Sequence, residues 1–321
     1  MKTRNQGSNY RTLNKTVRKC ALLGALLGAS YLAPSLEAQI FVTSESNVLG
    51  SYNFDGTPIN SSLVSGLSAP YSMTTNGSTI FVGNIGNGTI STYGISGEPL
   101  GVFSAARPIG LAISGNILYA ANDWTGSVST YNATTGALIT ANFITGLGGV
   151  TRGMAIDSAG NLYVASSTSN ALGDGSVGKY NATTGATIDS GFISGLSTPF
   201  GIAIDGNNLY VSNFDYRVNT IGKYNLLDGS TINAAFITDI GNPAGLAIYD
   251  GSLYAASYSA TGPSGNSVGQ FSTVDGSAID RSFITGINYP LAIVAVPEPG
   301  TVALLALGGM AILAFRMRKN S

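Results

Sequence analysis

Three groups of residues in this sequence have types and spacings that could do chemistry. The first is GDGSVGKY (173–180), where Gly173, four residues and then Gly178-Lys179 nearly reproduce a glycine loop that cradles phosphates. A Ser or Thr should follow the lysine to hold magnesium, and Tyr180 stands there instead. The second group is acidic: Asp123, Asp174 and Asp215 could offer oxygens to a divalent cation, with no glutamate expected beside them as a base. The third combines aromatic and basic side chains. Trp124, the single tryptophan, could stack on a sugar ring while Asp and Asn accept its hydroxyl hydrogen bonds, or it could pack on a neighbouring unit of the fold. Arg107, Arg152, Tyr216, Arg217 and Asn84 are expected on the same face.

What is missing narrows the chemistry further. The 321 residues include no histidine, and the one cysteine, Cys20, lies near the N-terminus. A body without either cannot build the usual zinc site, a Cys–His nucleophile or a histidine triad, and nothing else in it calls for a cofactor. Between residues 39 and 296 there are six basic and fourteen acidic side chains, a net of −8. An acidic body with no basic patch excludes nucleic acid as an expected partner. Only 10% of the chain is charged, and its many Gly, Ser, Thr and Asn residues favour short strands and turns over helices.

The elements that must position these groups are repeated. IFVTS (40–44), IFVGN (80–84), LYAAN (118–122), LYVAS (162–166), LYVSN (209–213) and LYAAS (253–257) are one line written six times, with anchors 40, 38, 44, 47 and 44 residues apart. Each copy is followed by a strand ending in an aromatic, such as Tyr131 or Tyr180. Four copies carry a third segment of the NFITGL type (142–147), and a fourth segment reads RPIGLAI (107–113) or TPFGIAID (198–205). Four short strands per ~44 residues is the period of a propeller blade, so an all-β, six-bladed β-propeller of four-stranded antiparallel blades is expected over 39–296. Its first two units depart from the pattern, with APYSMTTNG where P-x-G-L-A-I-D-G is expected. YPLAIVAV (289–296) is a lone copy of the fourth segment, able to complete the first blade and close the ring. Within this frame GDGSVGKY aligns with NTIGKYN (219–225) as a strand, and Asp157, Asp205 and Asp250 fall in tight turns between strands. The unit resembles the NHL-type propeller repeat. That resemblance implies either a binding scaffold or, as the alternative, a metal-dependent lactonase-like hydrolase or lyase.

The two ends address the chain. Residues 1–19 are basic and polar, 20–33 apolar, and PSLEAQ supplies small residues, the layout of a signal peptide spanning 1–38 and cleaved after Ala38. At the other end, Pro297-Glu298-Pro299 precedes sixteen apolar or small residues, roughly 24 Å as a helix and so a short transmembrane span. Arg316, Arg318 and Lys319 follow, and would hold that end on the cytoplasmic side. This tail (297–321) resembles the tripartite signal of bacterial PEP-CTERM proteins. The resemblance implies recognition by a membrane-embedded exosortase, membrane attachment before processing, and release to the cell surface or an exopolysaccharide matrix. A surface-sorted, non-catalytic propeller that binds extracellular polysaccharide or an envelope protein is the function expected.

Overall fold

The computed structural model describes residues 38–298 apart from 170 and 260–264. Residues 1–37 of the expected signal peptide (1–38) and the membrane span of the tail lie outside the described residues. Those described form twenty-four strands, β1 to β24 in chain order, arranged as six four-stranded antiparallel sheets. The innermost strands are β4 (Pro70–Thr75), β8 (Pro108–Ser114), β12 (Val150–Ile156), β16 (Pro199–Asp205), β20 (Pro243–Tyr249) and β24 (Pro290–Val296). Each neighbours the next, and β24 neighbours β4, so the six surround an axis. The sheets are therefore the blades of a six-bladed propeller.

Closure is made by the last strand. β24 pairs with β1 (Gln39–Ser44), Gln39 opposite Val296, and completes the sheet that continues through β2 (Val48–Tyr52) to β3 (Pro58–Ser65). This composite is blade 1, and blades 2 to 6 follow in chain order.

The repeated apolar line is the second strand of each blade: β1, β5 (Thr79–Asn84), β9 (Ile117–Asn122), β13 (Asn161–Ser167), β17 (Asn208–Asn213) and β21 (Ser252–Ser257). Neighbouring blades cover both of its faces, which is why it reads as a continuous apolar run instead of an alternation. Its tyrosines staple blade to blade. Tyr119 donates to the Ala182 carbonyl of the next blade at 2.7 Å, and Tyr210 repeats the bond to Thr273 at 3.0 Å. Burial pushes the Tyr210 phenol up to about 12, so the hydroxyl stays a donor across the working range.

The glycine of P-x-G-L-A has one physical cause. A Cβ on Gly110 would stand 1.7 Å from the Arg152 carbonyl oxygen, and one on Gly153 1.9 Å from that of Phe200. The missing side chain is what lets these inner strands approach this closely in blades 3 and 4. Blade 2 has Ser72 there, and its hydroxyl turns the same close approach into a 2.8 Å hydrogen bond to the Pro108 carbonyl. Just before this position the register slips in every blade, for example between Pro108 and Gly110 and between Thr151 and Met154. Such a bulge re-aims the residue beside it. Tyr71, Ile109, Phe200 and Leu291 accordingly line an axial cavity of about 70 Å³, room for about two waters and no sugar.

GDGSVGKY is a strand, β14 (Gly175–Asn181), paired on both sides, so its backbone serves the sheet and no phosphate loop forms. Asp157 is a turn residue. It accepts hydrogen bonds from the N–H groups of Ala159 and Asn161, the Asn161 amide and the Tyr163 hydroxyl, at 2.7 to 3.0 Å. Burial pushes its carboxyl up, and these bonds outweigh burial to hold it below the ordinary carboxylate range. A depressed carboxylate stabilises fully above the unfolded value, near pH 4, and loses that contribution as pH falls through the folded one. Asp157→Ala should therefore cost about 1–3 kcal/mol at pH 7, and the gap between the two unfolding midpoints should narrow by pH 3.

Candidate functional site

One end of the ring carries the loops that leave the second strands and the loops that enter the inner strands. They are bound to each other blade by blade. The carbonyls of Ala69, Arg107, Thr198, Asn242 and Tyr289 accept the N–H groups of Ile85, Asp123, Phe214, Tyr258 and Glu45, at 3.0 to 3.3 Å. All five acceptors precede a proline and have φ between 41° and 51°. Non-glycine residues avoid that region, so this rim is held in shape at some cost in strain.

Each residue expected on this face lies in a rim loop or at the end of a strand that enters or leaves one. They fall into separate groups. On blade 3, Arg107 donates from Nε and Nη2 to Asp123 Oδ2 (3.2 and 3.0 Å), and its guanidinium lies 4.0 Å from the Trp124 ring centre. Asp123 is buried, whereas Trp124 is 73% exposed, so it caps no neighbouring blade. Blade 5 repeats the arrangement. Buried Asp215 takes Nε and Nη2 of Arg217 (2.8 and 2.5 Å), whose guanidinium lies 5.5 Å from the Tyr216 ring, and Tyr216 is 77% exposed. The bonds from Arg217 hold the Asp215 carboxyl below its ordinary range, and the Arg217 pKa rises in return.

Between them, on blade 4, Arg152 reaches the rim without a carboxylate of its own. It lines a cleft of about 480 Å³ with Phe214, Asp215, Tyr216, Arg217 and Asn242. Asp174 does not join this cleft. It accepts bonds from the Ser169 N–H and hydroxyl and the Thr168 hydroxyl, closing its own loop. Asn84 is buried, bonded to Ser91 and the Ser68 N–H, and is a structural residue of blade 2. Among the described residues no three of His, Cys, Asp and Glu are grouped to hold a metal ion.

The expectation that the rim lacks glutamate is wrong. Glu45 follows β1 onto this face and accepts the Tyr258 hydroxyl. Sequence reasoning also missed Tyr71, Phe200, Phe214, Tyr258 and Tyr289, which gather near the axis. Alignment of the repeats at the residue after the recurring proline (Thr151 in blade 4), which gives Tyr71, Ile109, Arg152, Phe200, Ala244 and Leu291, would have exposed Tyr71 and Phe200 beside Arg152.

The chain leaves the propeller on the opposite face. β1 runs toward the rim and β24 away from it, ending at Val296, immediately before Pro297 and Glu298. Residues 295–319 match the PEP-CTERM protein-sorting motif. The chain carries a PEP-CTERM sorting signal. Such a motif implies export, recognition by exosortase and sorting toward the cell surface. No curated protein matches the sequence of this chain. Among solved structures, a chain of the nidogen/laminin complex aligns with a TM-score of 0.62 at 11% identity, covering 81% of this chain and 98% of that one. A protein of unknown function from Bacteroides caccae gives 0.60 at 16%, covering 82% and 100%. At such identities the likeness shows the propeller fold alone.

Proposed function

We propose that this PEP-CTERM protein is a non-catalytic binding protein of the cell surface or matrix, and that its rim holds extracellular polysaccharide. One observation carries the reading: two large aromatic rings stand almost fully exposed on one face, each beside an arginine anchored by a buried aspartate. An exposed tryptophan or tyrosine of fixed orientation contributes nothing to a core and gives a pyranose ring a flat apolar surface at little entropic cost. Asp123, Asp174 and Asp215 each face their own partners, which favours this reading over a metal-dependent lactonase-like hydrolase or lyase. An envelope protein docked on the same shelves is the remaining occupant that the test addresses.

The ring closes within residues 39–296, so that fragment is the reagent. It should bind polysaccharide prepared from the producing cell's own matrix and stripped of protein. Trp124→Ala and Tyr216→Ala should each weaken binding about tenfold, about 1.4 kcal/mol, with unfolding midpoints unchanged. Retention no greater than that of a control protein of equal charge would sink the reading, and binding that vanishes once the matrix is deproteinised would pass the site to an envelope protein.

A further inference from the structure

Resting on that reading of the rim, we propose that Arg152 and the aromatic arc beside it select a carboxylate-bearing sugar, the hexuronate unit of an acidic polysaccharide. Arg152 differs from the other basic side chains of the body. Arg107 and Arg217 hold buried aspartates, Arg281 donates to the carbonyls of Thr238 and Asp239, and Lys223 donates to that of Thr273. Lys179 lies over the rings of Phe192 and Tyr163, in the sheet of blade 4. In Arg152, Nε and Nη1 are buried with no acceptor, and the side chain lines the cleft. Burial lowers the pKa of this group, and the guanidinium nevertheless stays charged at any working pH. A cation with two nitrogens cut off from water and without acceptors costs stability that a nearby anion offsets.

The surroundings say what kind of anion. Arg152 lies 5.7 Å from the ring of Phe200. Phe200 of blade 5 meets Tyr71 of blade 2 at 6.0 Å, a contact between opposite blades and therefore across the axis. The arc continues from Phe200 to Phe214 (5.1 Å), Tyr258 (5.4 Å) and Tyr289 (4.9 Å). All but Phe200 are half-buried, each with some of its surface open at the rim. Phe214 of this arc lines the cleft with Arg152 and offers a ring to the C–H face of a pyranose, and the axial cavity lined by Tyr71 and Phe200 is too small to admit one. Charge then favours a monoanion. One guanidinium neutralises one carboxylate, and the carboxylates of Glu45 and Asp123 act on Tyr71 together with Arg152, so negative charge is already present nearby. A phosphomonoester dianion would meet uncompensated repulsion. A charged guanidinium nitrogen donates a stronger hydrogen bond to a carboxylate than to a neutral sugar hydroxyl.

The test uses fragment 39–296, a polyuronate such as polygalacturonate, and the same polymer with its carboxyls chemically reduced to hydroxymethyl groups. The wild-type fragment should bind the polyuronate at least thirtyfold more tightly, with affinity falling as salt rises. Arg152→Gln should lose that preference and bind both polymers equally, and Arg152→Lys should restore part of it. The unfolding midpoint of Arg152→Gln should stay equal to the wild type or rise, because an unpartnered buried cation has been removed. Equal binding of the two polymers by the wild type would overturn the carboxylate assignment and leave the polysaccharide reading standing. So would a steep loss of stability in Arg152→Gln, which would make the arginine structural. Binding of neither polymer, with no binding to the native matrix, would overturn both.

Discussion

A chain ended after Tyr289, lacking β24, should show no cooperative unfolding transition and should aggregate, whereas one ended after Val296 should melt like the intact body. β24 places Leu291, Ile293 and Val296 in the core at 1%, 4% and 4% exposure. Each such side chain contributes about 1.5–3 kcal/mol of burial, so the strand supplies roughly 5–9 kcal/mol, an upper range because unfolded chains already bury some surface. That is comparable to the whole stability of an ordinary domain, about 5–15 kcal/mol. The loss is not confined to one blade. β24 sits between β20 and β4, so its removal opens the inner ring on both sides and bares the full edge of β1. Thermal unfolding by circular dichroism and size-exclusion chromatography check the pair. The result bears on sorting, because the motif matched at 295–319 begins inside the strand that closes the ring. Processing must leave Val296 on the body, and a mature C-terminus mapped upstream of it by mass spectrometry would contradict the closed ring.

The fold was legible because each blade repeats its own solution. An aromatic in the second strand returns in all six blades, and a tyrosine there together with a glycine that lets inner strands touch returns in four, so several weak signals add at one period. Blade 2 shows why its PYSMTT was hard to place: Ser72 does by hydrogen bonding what glycine does elsewhere by having no side chain. On the rim, Trp124 and Tyr216 could be found because the loop after an LYV line is visible in one dimension. The same logic misjudged Asn84, whose amide is turned inward to Ser91. The aromatic arc could not be read at all. Tyr71 and Phe200 belong to blades that meet only across the axis, so their contact exists only after the ring has closed. Arg152 was visible as a residue, but its lack of a partner was not, since that depends on every neighbour packed around it.

Gly110→Ala should be among the most damaging single substitutions in the body, costing about 3 kcal/mol and lowering the unfolding midpoint by about 6–12 °C. Its added Cβ would lie 1.7 Å from the Arg152 carbonyl oxygen and 2.8 Å from the carbonyl carbon, and backbone cannot swing aside as a long side chain can. β12 must move outward instead. Gly153 on that strand stands under the same constraint against Phe200, and Gly201 against Ala244, so the displacement passes from blade to blade. Gly101→Ala is the matched control: it lies on an outer strand without positive φ, and its Cβ would meet only the Thr92 hydroxyl at 3.4 Å. That variant should shift stability by no more than about 0.5 kcal/mol. Equal midpoints for the two variants would mean that the inner strands do not touch as described. A large gap between them, together with loss of polyuronate preference in Gly110→Ala, would tie the glycine of P-x-G-L-A to function as well as to folding. The carbonyl that the new methyl strikes belongs to Arg152 itself, so the ring's tightest contact also sets where the unpartnered guanidinium stands.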